Sequence, residues 1–370
     1  PTDAPLTQPP VQPSSAPITD YCKCEDPSQL WLDIVFVADA SAAMAEGVKD
    51  VGAVIQTILY SLTIGDAAYK SRAAVVSYAN DVQVNYNFGD FTSQSAIDGL
   101  VIPVRTQKGE KIAEGIAAGI DLFSQSPRNA SQAKKVIVII ASSYDNDVSS
   151  APAQLVETFK QDGGQVMTIE YAIKTQTVLP AFAALATPGY ALSTKNDGQF
   201  NGLFIIQSFC DLNCFCPVGL VPYNVQSAAH NNRVVPLGGC FNPVTANAVY
   251  RAANNTCHLK KGIVAPVHDN DANFFLMGLF DGTKVPFWIG YEYDGVSSWS
   301  WSDQSPSTFT KWATGEPNLK NGKNACAYSQ QTSGFNYYWY AAPCVDILNA
   351  DYKYVCQTRP CSAGFYCFDS

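Results

Sequence analysis

The chain has 370 residues, 47% of them hydrophobic and 15% charged, with a formal net charge of -9 at pH 7. That length exceeds what one hydrophobic core usually supports, and the composition is that of a globular chain, so two domains are expected. Lys and Arg are scattered without a basic cluster, which argues against a nucleic-acid partner or an anionic membrane surface, because both need a positive face.

In chain order, residues 1–21 are rich in Pro, Ser, Thr and Gln and bury too little apolar area to offset ordering their backbone. They read as a flexible leader, open to O-glycosylation. The chain starts at Pro1 rather than Met, as expected of a mature product whose signal peptide has been removed. From residue 31 strand and helix alternate. Residues 31–37 form a nearly unbroken apolar run, as expected of a parallel strand buried on both faces. A helix is predicted over 46–62, where Val48, Val51, Ile55, Ile58 and Leu59 recur at helical spacing. Residues 73–78 make a second strand, 82–88 alternate like an edge strand, and 112–123 are helical. Residues 136–140 are the most hydrophobic strand and must be central. The helix over 152–161 opens on Pro152, whose missing N–H does no harm in a first turn. A strand over 166–172 and a short helix over 179–186 follow. Repeated βα units of this kind form a doubly wound α/β parallel sheet.

After Cys210 the alternation stops. Trp, Tyr, Gly and Cys become frequent, and long loops with short strands take over, which puts a domain boundary near 210–217. Twelve cysteines are present, crowded into Cys22 and Cys24 and then Cys210 onward. With three histidines (His230, His258 and His268) and no CxxC pair, zinc is poorly provided for, and disulfides in an oxidising compartment fit better. Sequons at Asn129 and Asn254 agree with N-glycosylation and a secreted, extracellular protein. No run reaches the roughly 18–20 apolar residues of a membrane span. Cys22 and Cys24 precede the first strand, and Cys210 and Cys214 follow the last predicted helix. The ends of a doubly wound domain lie close, so these two groups can cross-pair, in a combination the sequence leaves open.

Residues 31–209 resemble the von Willebrand A family, also found as the integrin inserted domain. The likeness rests on the strand ending in Asp39, Ala40, Ser41, Ala42 and Ala43 and on the closing segment from Leu185 to Gly189. That family holds a divalent cation through an Asp-x-Ser-x-Ser loop, a threonine on a second loop and an aspartate on a third, completed by a partner's carboxylate. Asp39 and Ser41 match, Ala43 replaces the second serine, Glu110 stands at the threonine and Ser142 at the aspartate. The resemblance therefore implies a magnesium site of Asp39, Ser41 and Glu110 that is greatly weakened, since Mg²⁺ demands near-octahedral oxygen ligation.

Residues 216–357 resemble a C-type lectin-like domain, an α+β fold. Cys216 to Gly219 and Cys240-Phe241 match the start of its long form, and Phe287 to Gly290 match its central strand. Trp299, Trp301, Asp303, Trp312 and the run from Gly315 to Asn318 follow at family spacing. By this resemblance Cys257 pairs with Cys356, Cys326 with Cys344 and Cys216 with Cys240, leaving Cys361 and Cys367 to pair in the tail. The family's sugar site is a calcium ion bridging protein oxygens to two sugar hydroxyls. Glu316, Pro317 and Asn318 match its mannose-type motif, whose proline bond is usually cis. Asn324 replaces a glutamate, and Trp339, Tyr340 and Ala341 stand where Trp-Asn-Asp is usual, so one carboxylate of three remains. Calcium affinity follows ligand number and charge, so calcium at Glu316 and Asn318 is expected to be weak or absent. The competing expectation is calcium-independent recognition by the same surface, through Glu316, Asn318, Asn324 and the aromatic run Tyr337, Tyr338, Trp339 and Tyr340. Trp288, Trp299 and Trp301 are expected in the core.

The expected domains are a leader (1–21), a von Willebrand A-like domain (22–214), a C-type lectin-like domain (215–358) and a cysteine-containing tail (359–370). The combination resembles secreted nematode lectin-like proteins, which implies innate immunity or cell adhesion. The expected function is recognition of glycans, glycoproteins or a microbial or host surface. The alternative is an adhesive or matrix protein acting through protein contacts with both metal sites degenerate. No Ser/His/Asp set and no free thiol nucleophile assembles convincingly, so an enzyme is not expected.

Overall fold

The computed structural model describes residues 22, 24–108, 111–129, 132–144, 151–172, 179–195, 200–280, 285–319, 325–333, 336–345 and 352–366. The leader 1–21, Glu110, Asn324 and Cys367 lie outside them. The chain divides into two compact units, Asp20–Gly238 with Pro360–Ser370, and Gly239–Arg359.

The first unit is built on strands β1 (Leu32–Asp39), β2 (Arg72–Tyr78), β3 (Val82–Tyr86), β4 (Lys134–Ala141), β5 (Gln165–Glu170) and β6 (Ala191–Ser193). Their order is β3-β2-β1-β4-β5-β6, parallel except for the antiparallel edge strand β3. Helices α1 (Gly47–Ser61), α2 (Gln94–Asp98), α3 (Ile112–Gln125), α4 (Ala151–Gln161), α5 (Pro180–Ala183) and α6 (Gly202–Leu212) complete it. Alternation along the strands supplies both faces of the sheet. Ile34, Phe36, Val138 and Ile140 pack with α1 and α6, whereas Val35, Val37, Ile137 and Ile139 pack with α3 and α4. Gly119 lets α3 approach closely, because a Cβ there would lie 3.0 Å from Val37 Cγ2.

Charge closes the other end of the sheet. Asp33, buried at the start of β1, receives two bonds from Arg72 (3.0 and 2.7 Å) and one from Arg128 (3.0 Å). The sequence reading missed β6 and α6. Cys210 lies inside α6, whose N-terminus is capped by Asn201 accepting from the Phe204 N–H at 2.8 Å. Cys22 bonds to Cys214 and Cys24 to Cys210, so both cross-links tie the start of the domain to its last helix.

Two segments depart from the expected boundaries. The stretch after Cys214 belongs to the first unit. It holds the two-residue strand β7 (Val221–Pro222) and a hairpin of β8 (Val225–Ser227) and β9 (Arg233–Val235). Arg233, 1% exposed, fixes the hairpin by donating to Asp211 (2.8 Å), Ser208 Oγ (2.7 Å) and the Gly189 carbonyl (3.1 Å). His230 Nδ1 lies 2.6 Å from the other Asp211 oxygen. The tail is not a free appendage either. Cys361 and Phe215 exchange backbone bonds, Trp31 Nε1 donates to the Ser362 carbonyl at 3.1 Å, and Trp31 packs edge-on to Tyr366. The boundary thus moves from 214/215 to 238/239, because a buried ion pair outweighs the loop-rich composition that made this segment look like the second domain.

The second unit contains β10 (Cys240–Ala248), α7 (Tyr250–Leu259), β11 (Ile263–Val264), α8 (Asn270–Gly278), β12 (Phe287–Tyr293), β13 (Trp299–Trp301), β14 (Ala325–Ser333), β15 (Asn336–Pro343) and β16 (Tyr352–Thr358). Within it the strands run β15-β14-β12-β16-β10, with β11 on β16 and β13 on β12. Its first and last strands are antiparallel partners, Cys240 opposite Thr358. Trp288 is buried among Tyr250, Tyr328 and Tyr352, and its indole N–H donates to the Ala248 carbonyl at 2.7 Å. Cys257 bonds to Cys356 and Cys326 to Cys344. Cys216, Cys240 and Cys361 are disulfide-bonded too, and no described cysteine is free. Among the described residues no helix is long and apolar enough to cross a membrane.

Candidate functional site

The long loop of the second unit hangs on one tryptophan. Trp339 is 0% exposed and sits among Tyr291, Trp301, Phe309 and Trp312, with ring centroids 5.6 to 6.0 Å away. Its indole N–H donates to Asn273 Oδ1 at 3.2 Å, an oxygen that also accepts from Ser329. Its backbone N–H donates to Lys311 and its carbonyl accepts from Ala313. The expectation that Trp339 meets ligand is therefore corrected: it fastens the loop to β15 from inside. Alternation over 336–339 of β15, with Tyr337 and Trp339 buried and Tyr338 37% exposed, was the available signal. Trp288 and Trp301 are buried as expected, while Trp299 is half-buried.

Beyond this pin, Gly315 takes a φ of +87° and the Glu316–Pro317 bond is cis. Glu316 is half-buried and Asn318 exposed. Glu316 Oε2 accepts the backbone N–H of Asn318 at 2.7 Å and that of Ala341 at 3.0 Å. The carboxylate thus binds the loop to itself and to β15. Next to Ala341, the half-buried Tyr340 stacks on Tyr328 (5.5 Å, 22°), and Tyr328 lies 4.2 Å from Tyr352. Burial, a hydrogen bond with Tyr352 and the nearby Glu316 charge together push the Tyr328 phenol well above its ordinary value. The structure brings Glu316, Asn318 and the strand carrying Tyr340 together.

These groups do not fit a bridging calcium ion. One Glu316 oxygen already accepts two N–H groups, Ala341 has no side-chain oxygen, and Tyr340 offers only a phenol, whereas Ca²⁺ takes six to eight oxygens, several of them carboxylate. Among the described residues no group of three or more His, Cys, Asp or Glu side chains comes together as a metal cluster.

At the carboxyl edge of the first unit's sheet, Asp39 is 1% exposed. Its Oδ1 accepts the Ser41 N–H at 2.9 Å and its Oδ2 accepts the Ser142 hydroxyl at 2.8 Å. Arg105 N–H donates to the Ala40 carbonyl and Ala42 N–H to the Gln107 carbonyl, which holds this loop shut. Ser41 Oγ is buried without a partner, the one observation in favour of an ion here. Against it stand, among the described residues, a single carboxylate here already bonded on both oxygens and an alanine at position 43. This donor set does not fit Mg²⁺.

A third cluster has the residue types of a hydrolase but not the geometry. His268 Nε2 lies 2.7 Å from Asp303 Oδ2 and 3.2 Å from Ser305 Oγ. Serine and aspartate address the same nitrogen, so the imidazole cannot take a proton on one side while held on the other. Burial raises the Asp303 carboxyl, but the bonds from His268 and Ser305 outweigh it and leave the group below its ordinary value.

Residues 33–204 match the family model of the von Willebrand factor type A domain, and residues 247–358 that of the C-type lectin domain. The chain is thus a two-domain protein joining a von Willebrand factor type A domain to a C-type lectin domain. Over 99% of its length it is 23% identical to C-type lectin domain-containing protein 160 of Caenorhabditis elegans, of which it spans 58%. The C-type lectin mannose-binding isoform of Oxyuranus scutellatus is 28% identical over 40% of the chain and 85% of its own length. Proximal thread matrix protein 1 from the mussel byssus aligns at 18% identity over 50% of this chain and 48% of its own, with a TM-score of 0.42.

Proposed function

We propose that this is an extracellular recognition protein that binds glycans on glycoproteins or cell surfaces, microbial or host, through the long-loop face of its C-type lectin domain without needing calcium. It acts by binding rather than catalysis. One observation carries the reading: Glu316 Oε2 closes the loop onto Ala341 through backbone hydrogen bonds, so the surface keeps its shape without an ion. Asn318 supplies an exposed amide, and Tyr338 and Tyr340 present ring faces of the kind that stack on sugars. The disulfides fit an oxidising, extracellular setting, and Asn129, exposed, and Asn254, half-buried on α7, are proposed as N-glycosylation sites.

The test is a glycan array probed with the full chain, with and without chelator. Chelator-resistant signals that Glu316→Gln leaves largely intact are expected. Mannose signals abolished both by chelator and by Glu316→Gln would make the protein a calcium lectin instead. Silence on every glycan would favour adhesion through protein contacts.

A further inference from the structure

We infer that Ser142 does the work of a cation in the first domain: its hydroxyl proton occupies the Asp39 oxygen a metal would take, holding the β1 loop closed and making this face metal-independent. The inference concerns the first domain alone and does not depend on the glycan reading. Three observations meet here. Asp39 is a carboxylate 1% exposed, and a buried charge left without donors would be strongly destabilising. Among the described residues it has no Lys, Arg or His partner, and the groups facing it are neutral. These are the Ser41 N–H on Oδ1, the Ser142 hydroxyl on Oδ2 and Tyr78, its buried register partner on β2.

Second, the position of Ser142 is set by the fold rather than by a flexible loop. It follows the last residue of the central strand β4, and Ala38 of β1 pairs with Ile140 two residues earlier. An aspartate at this place would confront Asp39 across two neighbouring strand ends and would require a cation between them, whereas a serine removes both the second charge and the need for the ion. Third, the loop that follows Asp39 is fastened by backbone bonds to residues 105 and 107, so its closure is already complete. Ser142 is therefore a positioning residue for Asp39. A partner of this face needs no acidic side chain to complete a metal shell, and its contact is insensitive to chelator.

The test is calorimetric titration of Mn²⁺ into the full chain. Any bound ion is located by anomalous scattering, and thermal melts of variants are taken in chelator and in excess Mn²⁺. No Mn²⁺ at Asp39 in the wild type is expected, as is a melting midpoint for Ser142→Ala below the wild-type one in both buffers. Ser142→Thr, which keeps the hydroxyl, should melt close to wild type. The double variant A43S with S142D should melt low in chelator and recover in Mn²⁺. A manganese peak within coordination distance of Asp39 in the wild type overturns the inference, and so does a Ser142→Ala protein that melts with the wild type. Should Ser142→Ala fail to fold, the wild-type titration still decides, and manganese found only elsewhere agrees with the inference.

Discussion

At each of the two candidate faces a carboxylate is held by hydrogen bonds, but of different kinds. In the von Willebrand factor type A domain the remaining carboxylate is sealed: Asp39 is buried and bonded by a side-chain hydroxyl. In the C-type lectin domain the carboxylate of Glu316 is half-buried and bonded by backbone N–H groups, with Asn318 exposed two residues on and Tyr338 exposed on β15, the strand of Ala341. Sealing protects a fold, whereas fastening a loop from beneath leaves its outer surface free to meet a ligand. The contrast is in keeping with the proposal that the second edge is the one that meets glycans.

The largest effect that would sharpen this contrast comes from the pin beneath the loop. Trp339→Ala removes a fully buried indole and its bond to Asn273, and should cost the lectin domain about 3–5 kcal/mol in denaturant unfolding. Tyr338→Ala, on the same strand but facing out, should cost under about 0.5 kcal/mol while weakening glycan binding. Equal losses in the two variants would mean that the alternation of inner and outer faces is wrong. In the first domain, Asp211→Ala strands buried Arg233 and frees the hairpin, and should cost about 3–5 kcal/mol, with faster hydrogen exchange over 225–235. A hairpin as protected as in the wild type would return that segment to the second domain.

Smaller changes follow. Glu316→Gln keeps the shape but weakens the bonds to Asn318 and Ala341, for an expected loss of about 1 kcal/mol read from the melting of the lectin domain. The smallest effect is a pH dependence. The folded Asp303 carboxyl lies below its ordinary value, so its contribution is present above the unfolded pKa and is lost as pH falls through the folded one. Acid unfolding of the lectin domain below about pH 4 should therefore flatten in Asp303→Asn. An unchanged acid limb would remove Asp303 from the account.

Much of the fold was legible because hydrophobic periodicity is local. The runs over 31–37 and 136–140 became the buried centre of the sheet, and the cysteines flanking the first domain, whose pairing the sequence left open, join Cys22 to Cys214 and Cys24 to Cys210. What escaped depends on contacts distant in sequence. Nothing near Arg233 announces that Asp211 waits on α6, and nothing in the tail announces that Trp31 will take the Ser362 carbonyl. Helix α6 hid because Phe209, Cys210 and Leu212 look like a core strand or a disulfide-rich loop, although Asn201 offered a cap. At the candidate site, motif matching located Glu316 and Asn318, but only geometry showed that the carboxylate is engaged with backbone.

The return of residues 360–366 to the first unit makes the lectin domain an insertion rather than a C-terminal addition. The chain enters it at Gly239 and leaves at Arg359, and its entering and departing strands are antiparallel partners, which puts the two crossing points about 5 Å apart. A module bounded in this way is a cassette. Its ends lie side by side, so the host residues that flank it, Gly238 and Pro360, follow one another across a narrow gap.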